Sequence, residues 1–142
     1  MDKFVQLMTT DAINQMSDGT LVSTLGIKIT EVGENTLTAT MPVDARTKQP
    51  FGLLHGGANV VLAETLASIG AQMMLPRDKM AVGLEINANH LRSVRQGMVT
   101  GKAFPIKVGQ TVQVWQIDIF DDQGRQTCTC RMTASVVNNP SR

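Results

Sequence analysis

Apolar and small residues dominate one long segment in the middle of the chain, from residue 53 to residue 75. The segment predicts a helix of about five turns, from about Ala58 to Met74, that is buried in the protein. Pro76 follows it and ends the helix, because proline has no amide hydrogen to donate. Membrane helices seldom accept polar side chains in such number, so a buried helix is favoured over a membrane span. These polar residues are His55, Asn59, Glu64, Ser68 and Gln72.

Elsewhere the chain alternates apolar and polar residues in short runs, which is typical of half-buried strands. Two runs before the helix, at residues 27–30 and 36–43, are separated by the turn Gly33-Glu34-Asn35 and predict a hairpin. A tight turn at residues 121–124 joins the last two of the strands that follow the helix. Those strands are predicted at residues 81–92, 98–106, 111–120 and 126–137.

A short helix is predicted near the N-terminus, with Thr10 as its N-cap and Met16 near its end. The order of helix, two strands, long helix and four strands predicts an α+β fold, in which a curved antiparallel sheet wraps around the long helix. No repeat, low-complexity tract or linker divides the sequence, so residues 1–142 are predicted to form one domain.

Composition argues against a protein that binds nucleic acid. Thirteen Lys and Arg residues balance twelve Asp and Glu residues and leave a formal charge of +1, whereas phosphate contacts require clustered basic residues. Aromatic residues make up 4% of the chain, which disfavours a surface on which bases stack.

The two cysteines, Cys128 and Cys130, are too few to build a disulfide framework. Their Cys-Thr-Cys spacing also differs from the CxxC of a redox or zinc site. On a strand both side chains point to the same face, so we expect reduced thiols that fill space in the core. Reduced thiols and an N-terminus without the apolar run of a signal peptide (MDKFVQLMTTDA) predict a cytoplasmic protein. The two histidines, His55 and His90, fit no metal-binding motif, and no metal site is expected.

The most informative residue is Glu64, the single formal charge between Phe51 and Pro76. A carboxylate on such a helix is paired, protonated or placed in a cavity. Ser68 lies four residues later and therefore shares its helix face. A Glu exposed at the surface or in an interface is the plain alternative.

The glycine pair that opens the helix, Gly56 and Gly57, offers backbone N–H groups that can approach a carbonyl or an anion closely. An ordinary glycine turn is the alternative. Gly56 and Glu64 are separated by about 12 Å along the helix axis, at the usual rise per residue. Because one carbonyl cannot reach both groups on one helix, a site that uses both predicts a dimeric active site.

The segments QPFGLLHGGA (residues 49–58) and AETLAS (residues 63–68) resemble those of hotdog-fold acyl-CoA thioesterases. The resemblance covers about residues 8–137, and it implies the hotdog fold, a homo-oligomer that is at least a dimer and is expected to be a tetramer of two dimers, and no cofactor. Further segments carry it: TMPVD at 40–44, VGLEINANH at 82–90 and VWQI at 114–117.

The resemblance implies a catalytic role for five residues. Glu64 matches the catalytic carboxylate, which either attacks the thioester to form an anhydride or activates water as a general base. Gly56 matches the residue whose N–H polarises the thioester carbonyl, and Ser68 matches a hydroxyl beside the carboxylate. Gln49 and His55 match polar partners near the carbonyl and the leaving group.

The resemblance also implies residues that bind the substrate. The end of one strand would contact the substrate, and a later turn would grip the pantetheine and nucleotide of CoA. Ile69, together with Met73, is expected to shape the acyl pocket. The substrate-binding positions are Gly83, His90, Leu91, Arg92 and Ser93, and those of the turn are Lys107, Val108, Gly109 and Gln110.

The activity implied by the resemblance is hydrolysis of an aromatic acyl-CoA, with 1,4-dihydroxy-2-naphthoyl-CoA of menaquinone synthesis as the leading substrate. Proofreading of aroyl groups on a carrier protein and broad acyl-CoA hydrolysis are alternatives. A non-catalytic acyl-CoA-binding module is the alternative outside enzymes, and Glu64 counts against it. The expected partners are a CoA thioester, other copies of the chain and, for proofreading, a carrier protein; neither nucleic acid nor a membrane is expected.

Overall fold

The computed structural model describes residues 2–141 and confirms the predicted α+β class. One long helix and a sheet of six strands make up most of this range. The elements are α1 (Thr10–Met16), α2 (Leu21–Thr24), β1 (Lys28–Val32), β2 (Leu37–Pro42), α3 (Gly56–Met73), β3 (Lys79–His90), β4 (Met98–Val108), β5 (Val112–Phe120) and β6 (Gln126–Asn138).

The strands form one sheet in the order β1-β2-β4-β5-β6-β3, and every pair of neighbours is antiparallel. β3 therefore lies at an edge, and most of its twelve residues are exposed. Val82 and Leu84 on this strand are 40% and 63% exposed. An edge strand of this length offers a row of unpaired N–H and C=O groups to another strand.

α3 packs across the inner face of the sheet and contacts the five strands from β2 to β6. The inward residues of β5 alternate with outward ones, and Trp115, at the centre of that strand, is fully buried. A Cβ on Gly70 would lie 2.7 Å from the Trp115 ring, so the close approach of helix and sheet needs glycine here. Phe4 stacks on the same ring, with the centroids 6.4 Å apart.

The long helix begins two residues earlier than the sequence predicts, at Gly56 instead of Ala58. His55 is its N-cap, and His55 Nδ1 accepts a hydrogen bond from the Gly57 N–H at 2.8 Å. Because this side chain caps the helix, the two glycines form its first turn and not a separate loop.

The N-terminal helices also differ from prediction. Thr9, not Thr10, is the N-cap of α1, and its hydroxyl accepts from the Ala12 N–H. α2 was not predicted, because its four residues are too few to show a helical period. Within residues 2–141, none of the helices has the length and apolar character needed to cross a membrane.

Candidate active site

Two pockets lie beside α3, and the structure assigns most of the predicted site residues to one or the other. The apolar pocket has a volume of about 590 Å³. It is lined by Met8, Ile13, Met16, Ser17, Thr20, Leu21, Val22, Val61, Glu64, Thr65, Ser68 and Ile69. The polar pocket has a volume of about 330 Å³. It is lined by Gln49, Leu53, Leu54, Gly56, Asn59, His90, Leu91, Arg92, Ser93 and Val94.

Glu64 is the single charged residue that lines the apolar pocket. Its carboxylate lies close to β3, because a Cβ on Gly83 would be 3.4 Å from Glu64 Oε2. The ion pairs found among residues 2–141 do not include Glu64, and no side chain in that range donates a hydrogen bond to it. In the single chain Glu64 is an exposed residue that also lines this pocket, so its carboxylate is available to attack an electrophile or to accept a proton.

Ser68 and Ile69 line the same pocket as Glu64, one turn further along α3. The Ser68 hydroxyl donates to Met132 Sδ at 3.7 Å, so in this structure it faces the sheet. Its predicted role beside the carboxylate stays a prediction. Met73 does not line the pocket; it is 2% exposed and belongs to the core.

The outer wall of the apolar pocket comes mainly from α1 and α2, and the sequence assigned neither helix to the site. α1 contributes Ile13 and Met16, and α2 contributes Leu21 and Val22. Met16 and Leu21 are 70% and 58% exposed, although both are large and apolar. Exposed apolar side chains this close to Glu64 suit an apolar ligand.

The first turn of α3 opens on the polar pocket. Of its two predicted N–H donors, that of Gly57 is occupied by His55 Nδ1, while that of Gly56 has no acceptor within residues 2–141. His90 packs against this turn: a Cβ on Gly56 would lie 2.8 Å from His90 Nε2. Any larger residue there would have to displace the His90 ring, and the Gly56 N–H is left as the donor available to a ligand.

The loop before α3 places Gln49 and His55. The Thr47 carbonyl accepts from the His55 N–H at 2.8 Å, and the Leu54 N–H donates to the Val94 carbonyl at 2.8 Å. Gln49 Oε1 accepts a hydrogen bond from the Phe51 N–H. The Gln49 amide nitrogen therefore remains free to donate to a ligand. The loop is thus fixed by backbone hydrogen bonds, and Gln49 lines the same pocket as Gly56.

Asn59 also lines the polar pocket and was not assigned to the site from the sequence. It lies one turn after Gly56, is 5% exposed, and its Oδ1 has no hydrogen-bond partner among the described residues. An unsatisfied buried amide oxygen costs about 1–3 kcal/mol. The signal that could have identified Asn59 is a polar side chain between Ala58 and Val60, in the first turn of the helix and close to the predicted donor Gly56.

The predicted substrate-binding residues fall into two groups. Leu91, Arg92 and Ser93 line the polar pocket with His90, as expected for a strand end that contacts a ligand. The turn between β4 and β5 lines neither pocket of the single chain, and its role in binding CoA stays a prediction. That turn consists of Lys107, Val108, Gly109 and Gln110, and the Gly109 N–H donates to the Val112 carbonyl.

Comparison with known proteins identifies the family. Residues 51–128, a range that includes all of α3, most of the polar pocket and the α3 side of the apolar pocket, match the family described as the thioesterase superfamily. The chain belongs to this superfamily. The predicted hotdog-type architecture and the predicted class of enzyme, a thioester hydrolase, are therefore confirmed.

Individual relatives of this thioesterase match nearly its whole length. It is 51% identical over 130 residues to the 1,4-dihydroxy-2-naphthoyl-CoA hydrolase of Escherichia coli, covering 92% of this chain and 96% of the relative. It is 50% identical to the proofreading thioesterase EntH of Cronobacter turicensis, covering 92% and 95%. The crystal structure of a Haemophilus influenzae thioesterase superposes with a TM-score of 0.93 at 50% identity, covering 95% of this chain and 94% of that one.

Proposed function

We propose that this thioesterase hydrolyses aromatic acyl-CoA thioesters, with 1,4-dihydroxy-2-naphthoyl-CoA as the leading substrate. The observation that carries the proposal is the Glu64 carboxylate, which is the single charge lining an apolar pocket of about 590 Å³ and belongs to none of the ion pairs within residues 2–141. Such a volume lies within the range of small-molecule sites, which is about 300–1,000 Å³. The substrate named for the Escherichia coli relative supports an aromatic acyl group.

We propose further that each site is built by two chains. Glu64 and Gly56 lie on one rigid helix and line separate pockets, so one thioester carbonyl does not contact both in the same chain. The exposed edge strand β3 carries Gly83 beside Glu64 and His90 beside Gly56. A second copy paired along β3 would bring the apolar pocket of one chain towards the polar pocket of the other.

In this site Glu64 would act on the thioester carbonyl carbon. In one route its oxygen attacks, the carbon–sulfur bond breaks, and CoA leaves as the thiolate; water then hydrolyses the anhydride. In the other route Glu64 takes a proton from water, and that water attacks. In both, the Gly56 N–H would stabilise the developing oxyanion, a contribution of about 3 kcal/mol for comparable donors.

The test is a kcat/KM panel over 1,4-dihydroxy-2-naphthoyl-CoA, benzoyl-CoA, lauroyl-CoA and an aroylated carrier protein. We expect the two aromatic CoA thioesters to exceed lauroyl-CoA, with the naphthoyl compound first. A preference for the aroylated carrier protein would instead support proofreading, the activity named for the Cronobacter turicensis relative. If none of these substrates is turned over, the proposed hydrolysis is contradicted and a non-catalytic acyl-CoA-binding module is favoured.

A further inference from the structure

Three side chains form a continuous row beneath the polar pocket. The β3–β6 register places His90 directly opposite Cys128, and Ala88 opposite Cys130, so these side chains share one face of the sheet. Cys130 Sγ lies 3.6 Å from Cys128 Sγ, and Cys128 Sγ lies 3.7 Å from His90 Nδ1. The other ring nitrogen, Nε2, is the His90 atom nearest to the position that a Cβ on Gly56 would take.

The donors in this row can be assigned from the strengths of the acceptors. Both cysteines are free and buried. The Cys128 thiol has two acceptors within reach, the Cys130 sulfur and His90 Nδ1, and a ring nitrogen is the stronger acceptor because thiol sulfur is a weak one. Cys128 S–H then donates to Nδ1, and Cys130 S–H donates to the Cys128 sulfur.

The acidities of the two thiols agree with this direction. The hydrogen bond with Cys130 lowers the pKa of Cys128 below its ordinary value. The same hydrogen bond, followed by burial, raises the pKa of Cys130, which therefore stays protonated and able to donate. A more acidic Cys128 thiol is also a better donor to the ring nitrogen.

We propose that Cys130 and Cys128 form a thiol relay that fixes His90 in the tautomer protonated at Nε2, with that N–H directed at the first turn of α3. Cys128 is then a positioning residue that acts through His90. The consequence for catalysis rests on the proposed function: the His90 Nε2–H would sit beside the Gly56 N–H as a second donor to an oxygen of the acyl thioester. His90 would not act there as a base, because the nitrogen facing the pocket already carries a proton.

The relay is tested by the ring ¹⁵N shifts of the histidines in long-range ¹H–¹⁵N NMR spectra of the free protein at neutral pH. We expect Nε2 of His90 to be protonated and Nδ1 to be unprotonated in the wild type. Cys128→Val fills a similar volume without a donor, so a mixture of both tautomers is expected; Cys128→Ser keeps a donor and the wild-type pattern. The chain has two histidines, and His55, whose Nδ1 accepts from the Gly57 backbone, is the internal control.

Steady-state kinetics then test whether the tautomer of His90 affects catalysis, separately from whether the thiol relay sets that tautomer. We expect Cys128→Val to lower kcat about 3- to 10-fold, which corresponds to the free energy of one neutral hydrogen bond. KM should stay within about twofold of the wild-type value. Cys128→Ser should recover most of the loss, which a purely structural role would not predict. If Cys128→Val does not fold, Cys128→Ala serves the same comparison.

Two spectroscopic results would overturn the relay: a wild-type His90 protonated at Nδ1, or a Cys128→Val spectrum identical to that of the wild type. Neither depends on the substrate. A tautomer that changes as expected, with kcat unchanged in every variant, would uphold the relay and refute the role given to His90 in the proposed function.

Discussion

The two pockets beside α3 differ in what supplies their chemistry. The apolar pocket takes its one charged group from a side chain, Glu64, and its walls from apolar residues of α1, α2 and α3. The polar pocket takes its donors from the helix backbone at Gly56 and from two side chains, Gln49 in the loop before α3 and His90 at the end of β3. Neither pocket contains both a nucleophile and an oxyanion donor. If the site is built by two chains as proposed, each chain provides two half-sites, one to each of two active sites.

The largest effect is expected from removing the charge of the apolar pocket. Glu64→Gln should lower kcat by about 10²- to 10⁴-fold, because neither the nucleophile nor the general base remains, while KM changes less. Steady-state kinetics with 1,4-dihydroxy-2-naphthoyl-CoA measure this, and an unchanged Tm shows that the protein is folded. Near-normal turnover by folded Glu64→Gln would remove Glu64 from the mechanism.

The half-site interpretation predicts complementation between chains. Glu64→Gln disables the apolar half, and Gln49→Ala disables the polar half. In mixed dimers one of the two sites would be intact, so random mixing of equal amounts should restore about a quarter of the wild-type activity. Each variant refolded alone is the control. A monomer that keeps full activity at nanomolar dilution would contradict the two-chain site.

A smaller effect is expected in the polar pocket at Arg92, which lines it at the end of β3. If Arg92 contacts the phosphates of CoA, Arg92→Ala should raise KM for the CoA thioester about 3- to 10-fold and leave kcat nearly unchanged. The N-acetylcysteamine thioester of the same acid lacks the nucleotide and is the matched control. Equal weakening of both substrates would place Arg92 in support of the fold or the acyl pocket instead.

The last expected change concerns stability and not activity, at Asn59, whose buried Oδ1 has no hydrogen-bond partner among the described residues. Asn59→Leu should raise the free energy of unfolding by about 1–3 kcal/mol, because an apolar side chain of similar size removes an unpaired polar group. Urea denaturation measures the change, with Asn59→Ala as a control for volume. A loss of stability in Asn59→Leu would mean that the Asn59 amide is satisfied in the assembled protein.

The helices and strands whose apolar residues repeat with a clear local pattern were predictable from the sequence. α3 follows from an apolar segment that ends before Pro76, and β6 follows from the alternation around Cys128, Cys130 and Met132. α2 was not predictable, because four residues make about one turn and show no period. The start of α3 was misplaced because a histidine, which is not a common N-cap residue, caps it.

Many of the site residues could be predicted from the sequence, whereas their arrangement in two separate pockets was harder to predict. Glu64 and Gly56 stand out locally, one as a lone charge and the other as a glycine before a helix. The residues of α1 and α2 that form the outer wall of the apolar pocket do not stand out in the sequence, because these helices come close to α3 only through tertiary packing. Likewise, the contact between Cys128 and His90 depends on the β3–β6 register, which joins residues 38 positions apart.

The packing of Trp115 against Gly70 and Phe4 gives the protein an optical reporter of its own. Trp115 is the single tryptophan, so the intrinsic fluorescence comes from one ring between α3 and the N-terminal segment. Separation of either neighbour from the indole would change its surroundings and hence its emission. Loosening of the N-terminal segment could therefore be followed in real time without a label.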